Sequence, residues 1–231
     1  KVYHMLTLAY GVPPTEFTWS QRDKDGKVVS TDKYTPLSFY NKLWGYDLNN
    51  DYVLVMNDPS REYYKVYQIE YDRHTYDGHD WVYLNLPNEE VKPMLIASLK
   101  DSTAMYISCD VNKFLNRQKG VMDLKNFDYE SLLGVTMTMD KKERIITHAS
   151  ASSHAMTLIA VDIDKATSKP TKWMVENSWG KENGFKGNYI MTDEWFNEYM
   201  FRFVLNKKYV PESVAKLLKQ KPIKLPAWDP M

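Results

Sequence analysis

Two short stretches carry residue types that could act together on a substrate. His154 stands at the head of a long apolar run, "SSHAMTLIAV", Ser152 to Val161. Asn177 lies in "VENSWG", on the next predicted strand, after the short turn "DKATSKP". Antiparallel neighbours bring side chains of one face within hydrogen-bond reach. An Asn carbonyl oxygen can accept from an imidazole N–H, which fixes the tautomer and the ring orientation. The other ring nitrogen is then free to deprotonate a nucleophile. This is the supporting half of a Cys-His-Asn arrangement. Trp179, two residues on, would cover the bond and keep water out, and a drier bond is electrostatically stronger. Read from pattern alone, "NSWG" serves as readily as a strand-ending turn. A lone histidine before an apolar strand is also more often structural than catalytic.

A nucleophile is harder to find. The chain has one cysteine, Cys109, in "ISCDVNKF". That segment reads as a strand after a helix and has no flanking Gln or Trp. Free cysteines are commonly buried small hydrophobes, whereas a reactive thiol needs an electropositive, accessible setting. Cys109 is therefore not expected to be the nucleophile. One cysteine also excludes an intrachain disulfide framework and a cysteine-rich zinc site. His74 and His79, with Asp72, Asp77 and Asp80, gather around a predicted turn, as turns commonly do. No metal and no cofactor is expected. His148 reads as a surface histidine and His4 as a core or interface residue. Asp193, Glu194 and Glu198 read as helix charges, not as a paired-carboxylate site.

These candidates need elements to position them. "VYHMLTLAY" carries a helical stripe that "GVPP" stops. A hairpin is expected around Asp25-Gly26. A short helix over "TPLSFYNKLWG" follows, with Thr35 as N-cap, Pro36 as its first residue and Gly45 as its stop. "DYVLVM" reads as a buried strand, and "KVYQIEY" and "WVYLNLP" as a second hairpin about Asp77-Gly78. "NEEVKPMLIASLKD" reads as a helix with Asn88 as N-cap and Val91, Met94, Leu95 and Leu99 on its apolar face. "AMYISCDV" reads as a strand. Residues 116–150 are mostly irregular, with a short helix at Tyr129 to Leu133. Three strands follow, "HAMTLIAVDID", "TKWMVENSW" and "GNYIMTD". The helix "DEWFNEYM" and the strand "FRFVLNKKY" come next. The end is a helix and then a proline-rich tail.

The bulk numbers fit one large domain or two small ones: 231 residues, 43% hydrophobic. Lys+Arg and Asp+Glu are both 30, so the net charge is zero. Nothing there points to nucleic acid or an acidic membrane surface. The lysines of "NKKY" and "KLLKQKPIK" read as solvated surface. No apolar run approaches the ~20 residues of a membrane helix. The opening segment is no signal peptide, and it reads as a helix already under way in a longer protein.

"SSHAM", "VENSWG" and "GNYIMTDEWFNEY" resemble the histidine-asparagine half of the papain-like cysteine peptidases. "QRDKDG", "TPLSFY", "ISCDVNKF", "TKWMVENSWG" and the tail "LPAWDPM" make the whole chain similar to the aminopeptidase C and bleomycin hydrolase branch. The resemblance implies an α+β fold. Its papain-like right domain, a β-barrel-like antiparallel sheet, would span 101–210. Residues 1–100 would supply helices and hairpins packing on that domain, and 211–231 a C-terminal helix and arm. It implies His154 as the base, Asn177 as its orienting residue and Trp179 as the shield. The nucleophilic cysteine and an oxyanion-binding glutamine would lie upstream, in an N-terminal portion of the same protein. The arm, Trp228, Asp229, Pro230 and Met231, would reach into the active-site cleft and favour removal of N-terminal residues from peptides. A homo-oligomer, hexameric in that branch, and a cytoplasmic setting are further expectations. The rival reading is a non-catalytic chain that lost its nucleophile and binds or regulates.

Overall fold

The computed structural model describes residues 1–229, which divide into two compact units, the first Lys1–Leu48 and the second from Asn49 onward. The first holds α1 (Val2–Tyr10), the hairpin β1 (Phe17–Arg22) and β2 (Val28–Tyr34), and α2 (Pro36–Leu43). α2 begins where the sequence predicts. The Thr35 hydroxyl accepts from Ser38 N–H, and the Ser38 hydroxyl accepts from Thr35 N–H, a reciprocal cap. Phe17, Trp19, Tyr34 and Phe39 pack edge-on or tilted, with ring centroids 5.1–6.4 Å apart. α1 has no buried residue, and His4 is exposed on it.

A short helix α3 (Leu48–Asp51) leads into the second unit. There β3 (Tyr52–Met56), β4 (Lys65–Ile69), β5 (Trp81–Asn85), α4 (Asn88–Lys100) and β6 (Met105–Cys109) come first. β7 (Leu115–Asn116), β8 (Val121–Met122), α5 (Tyr129–Leu133) and α6 (Lys141–Ile146) follow. The chain ends with β9 (His154–Ile163), β10 (Pro170–Glu176), β11 (Asn188–Thr192), α7 (Asp193–Tyr199), β12 (Met200–Asn206), α8 (Glu212–Leu217) and β13 (Ile223–Leu225). Eleven strands make one sheet, ordered β13-β4-β5-β3-β12-β6-β9-β10-β11-β8-β7. Most pairs are antiparallel, while β13·β4, β3·β5 and β8·β11 are parallel. The fold is α+β.

The division falls after Leu48, whereas the sequence reading separated residues 1–100 from the sheet domain. The reason is hydrogen bonding: β3 pairs with β12, which pairs with β6, so residues 52–85 belong to the same sheet as residues 105–206. Two local expectations change as well. Asn88 is the first residue of α4, not its cap. Pro87 holds the cap position without a side-chain bond, and the Asn88 amide donates to Asn197 Oδ1 on α7 at 3.1 Å. The proline-rich tail includes β13, whose Ile223 pairs with Tyr67. Three residues are too few to show a period, and an edge pairing is a tertiary event.

Alternation sets which face of the sheet is covered. Met156 and Leu158 on β9 are buried, while Ala155 and Thr157, each one residue before them, are exposed. Trp173 and Val175 on β10 and Phe203 and Leu205 on β12 are likewise buried with a less buried residue between them, while on β6 Ile107, Ser108 and Cys109 are all buried. Val91, Met94 and Leu95 of α4 and Trp195 and Phe196 of α7 belong to the same core cluster. Each such side chain contributes roughly 1.5–3 kcal/mol, as an upper estimate. Register brings several strand ends to one end of the sheet. Cys109 pairs with both Met200 and His154, Met56 with Arg202 and Asn85, and Glu176 with Thr157 and Asn188.

Candidate active site

His154 is the first residue of β9, and Asn177 follows the last residue of β10. The antiparallel pairing of these strands brings the two side chains together, with His154 Nε2 and Asn177 Oδ1 2.8 Å apart. The same Oδ1 accepts the backbone N–H of Ser178 at 2.8 Å. An atom that accepts from a backbone N–H is the amide oxygen, not its nitrogen. Nε2 must therefore carry the proton and donate, and Nδ1 is the basic nitrogen. Asn177 N–H donates to Gly187 O at 3.0 Å, which fixes the residue from its backbone. Its Nδ2 is buried with no hydrogen-bond partner among the described residues. An unpaired buried donor costs about 1–3 kcal/mol, so the amide orientation is imposed by the bonds to its oxygen.

Trp179 lies against this pair. Its ring centroid is 4.8 Å from that of His154, tilted by 35°. Tyr189 meets the indole edge-on at 5.7 Å, and Arg117 places its guanidinium carbon 4.6 Å from the indole centroid. Asn183 Nδ2 donates to Trp179 O at 2.6 Å. Arg117 opens the turn between β7 and β8, which reaches the loop after Trp179 because two glycines meet. A Cβ on Gly120 would lie 2.5 Å from Gly184 Cα, and both residues have positive φ.

Cys109 is fully buried in the core, although its backbone pairs with His154 across β6 and β9. Burial pushes its thiol well above the ordinary range, and the charge of Asp110 adds to the effect. No hydrogen bond joins the Cys109 thiol to His154 among the described residues.

The other candidates are placed as follows. Asp229 is held by Arg61 Nη2 at 2.5 Å, and Arg61 also meets Asp58 at 3.5 Å and the Tyr83 hydroxyl. Trp228 is exposed, and Pro230 and Met231 lie outside the described residues. Asp80 is engaged by Arg73 and Gln68. No group of three His, Cys, Asp or Glu side chains suited to a metal exists among the described residues. His148 is exposed. Asp193 accepts from Lys92 and from the Trp173 indole, and Glu198 pairs with Arg144.

Cavities of this unit lie at and away from the site. One of about 420 Å³ is lined by Tyr106, Ala155, Thr157, Glu176, Asn177 and Ser178 and so borders the site. One of about 890 Å³ runs along Phe114, Tyr129, Met139 and Tyr199 and includes neither His154 nor Asn177. Sequence reasoning missed Arg117, Arg61 and the polar residues around Asp110. Only the serine-rich "ASASS" before His154 was a signal.

A sequence profile of the Peptidase C1-like family matches residues 1–231. Human bleomycin hydrolase is 41% identical over 236 residues, which cover all of this chain and 52% of that protein. Aminopeptidase C of Lactobacillus delbrueckii subsp. lactis is 37% identical, with the same coverage. The crystal structure of PepW from Lactobacillus rhamnosis HN001 superposes with a TM-score of 0.92 at 34% identity, covering all of this chain and 52% of that one. The chain thus spans about half the length of the curated relatives it matches. It belongs to the Peptidase C1-like family.

Proposed function

From membership of the Peptidase C1-like family, we propose that this chain is the histidine-asparagine half of a cysteine-type aminopeptidase. The observation that carries the reading is the Nε2–H···Oδ1 bond of 2.8 Å between His154 and Asn177. It leaves Nδ1 as the one basic ring nitrogen. Nδ1 takes the proton of a cysteine thiol supplied from upstream, giving a thiolate–imidazolium pair. The thiolate attacks the peptide carbonyl. The scissile C–N bond breaks as Nδ1–H protonates the departing amine. Neutral His154 then takes a proton from water as the hydroxide attacks the thioester, and the thiol is regenerated with the acid product. Asn177 carries no proton in this cycle. It keeps Nε2 protonated and the ring aimed, while Trp179 shields the bond.

The burial of Cys109 and its raised thiol support placing the nucleophile elsewhere. The tail, held at Asp229 by Arg61, supports an arm of Trp228, Asp229, Pro230 and Met231 directed to the cleft. The same reading carries peptides as substrates, an N-terminal portion bearing Cys and Gln as partner, a hexameric homo-oligomer and a cytoplasmic setting.

The test is covalent. A thiol-directed epoxide is reacted with the longer protein, and the labelled peptide is identified by mass spectrometry. Labelling of a cysteine other than Cys109, abolished by His154→Ala, is the expected result. A longer protein with no further cysteine, or labelling of Cys109 in the folded state, overturns the reading in favour of a non-catalytic homologue.

A further inference from the structure

The segment that delivers His154 to its position is stitched to the end of β6 by serines. Ser152 and Ser108 share a short hydroxyl–hydroxyl hydrogen bond. Ser153 N–H donates to Cys109 O at 2.9 Å. Asp110, the residue after β6, is buried at 7% exposure and faces Ser150 and Ser153. Its Oδ2 accepts from the Ser150 hydroxyl at 2.8 Å, and the Ser153 hydroxyl is shared between Asp110 Oδ1 at 3.4 Å and Cys109 O at 3.3 Å. Ser150 is itself buried, so this carboxylate is the acceptor that satisfies its hydroxyl. Lys113 Nζ lies 3.9 Å from Asp110 Oδ2.

We infer that Asp110 is a positioning residue for His154, spanning Ser150 and Ser153 so that β9 starts in the one place where the imidazole meets Asn177. The inference rests on the peptidase reading for its purpose, but its geometry stands apart from it. The backbone of Asp110 is fixed without the carboxylate: its N–H donates to Tyr199 O at 3.0 Å, and its C=O accepts from Lys113 N–H at 3.2 Å. The carboxylate's work is therefore directed at the serine segment. Bonds to a charged acceptor are stronger than neutral ones, and both serine donors lie within four residues of the imidazole. A displacement of about 1 Å in such a group costs on the order of 10²-fold in rate. The distance of 2.8 Å between Nε2 and Oδ1 leaves little slack for the strand start to move.

The test reads the imidazole directly and uses no catalysis. The 231-residue chain is labelled with ¹⁵N, and the His154 ring is observed by NMR. The wild type shows a single Nε2–H tautomer with a protected ring proton. Asp110→Ala loses that protection and shows both tautomers in exchange, while Asp110→Asn, which keeps an acceptor oxygen, restores the wild-type signal. Val214→Ala, a core truncation on α8 away from the site, lowers the melting temperature without changing the tautomer. If Asp110→Ala does not fold, Ser153→Ala gives the same readout through the donor instead of the acceptor. A protected single tautomer in the Asp110→Ala variant, or in Ser153→Ala where that variant is used, overturns the inference. Failure of the epoxide experiment with this NMR result intact would sink the peptidase reading and leave the positioning role standing.

Discussion

His154 and Lys141 lie toward the same end of the sheet and are both titratable, yet their surroundings differ. His154 is partly exposed, and among the described residues its side chain is hydrogen-bonded to Asn177. Lys141, at the head of α6, is buried, and its Nζ donates to Asn57 Oδ1 and to Met200 O, each at 2.6 Å, 4.8 Å from the centre of the Phe201 ring. Burial pulls the Lys141 ammonium down to about 7, with Glu198 and Asp58 opposing the shift. The contrast teaches where chemistry can sit. A group with one ring nitrogen satisfied and the other accessible can exchange protons with a substrate. A group closed in by neutral acceptors is structural and reports pH through stability. Cys109 falls with Lys141: it faces the core beside His154 and has no access.

The largest effect that would sharpen this contrast is on stability. Lys141 has a folded-state pKa of about 7 against an ordinary 10.5. Below pH 7 both folded and unfolded chains hold the proton, and the burial penalty is fully felt. Between about 7 and 10.5 the unfolded chain binds more protons, so stability rises with pH through this window. The urea midpoint is expected to climb between pH 7 and pH 10, by as much as about 4 kcal/mol in unfolding free energy. Lys141→Met should flatten that rise, at a cost of about 1–3 kcal/mol for the acceptors it leaves unpaired. An equal pH dependence in the variant would break the comparison.

The next effect is on turnover. Asn177→Ala in the longer protein should lower kcat on the order of 10- to 10²-fold and leave KM within about twofold, because it removes orientation from a general base and not a substrate contact. Steady-state kinetics on a peptide substrate would show it. A rise in KM at constant kcat would place Asn177 in substrate binding instead.

The smallest effect concerns the thiol. Cys109→Ala should leave kcat unchanged and cost about 1 kcal/mol of stability, as a small core truncation does. Activity lost in this variant, with its melting temperature near that of the wild type, would return Cys109 to the site.

Much of the fold was legible because it is written in local pattern. The apolar run "HAMTLIAV" announced β9, the Thr35-Pro36 pair announced α2, and Asp25-Gly26 announced the first hairpin. The pairing of His154 with Asn177 was legible because consecutive antiparallel strands joined by a short turn must be neighbours. The "ENSWG" motif and its resemblance then gave the pair a chemical role to test. Sequence also marked Cys109 as a strand residue after a helix, with no flanking Gln or Trp.

Tertiary structure alone decided the rest. The membership of β3, β4 and β5 in the large sheet depends on β12, which lies more than a hundred residues away in sequence, and no local period records such a pairing. β13 is too short to announce itself and exists because β4 offers an open edge. The Arg61–Asp229 pair and the Asp110–Ser150 pair join residues with no common motif. Secondary structure follows from side-chain periodicity, which a chain carries within itself. Hydrogen bonds between distant polar groups follow from which strand ends register brings together, and that is settled only when the sheet closes.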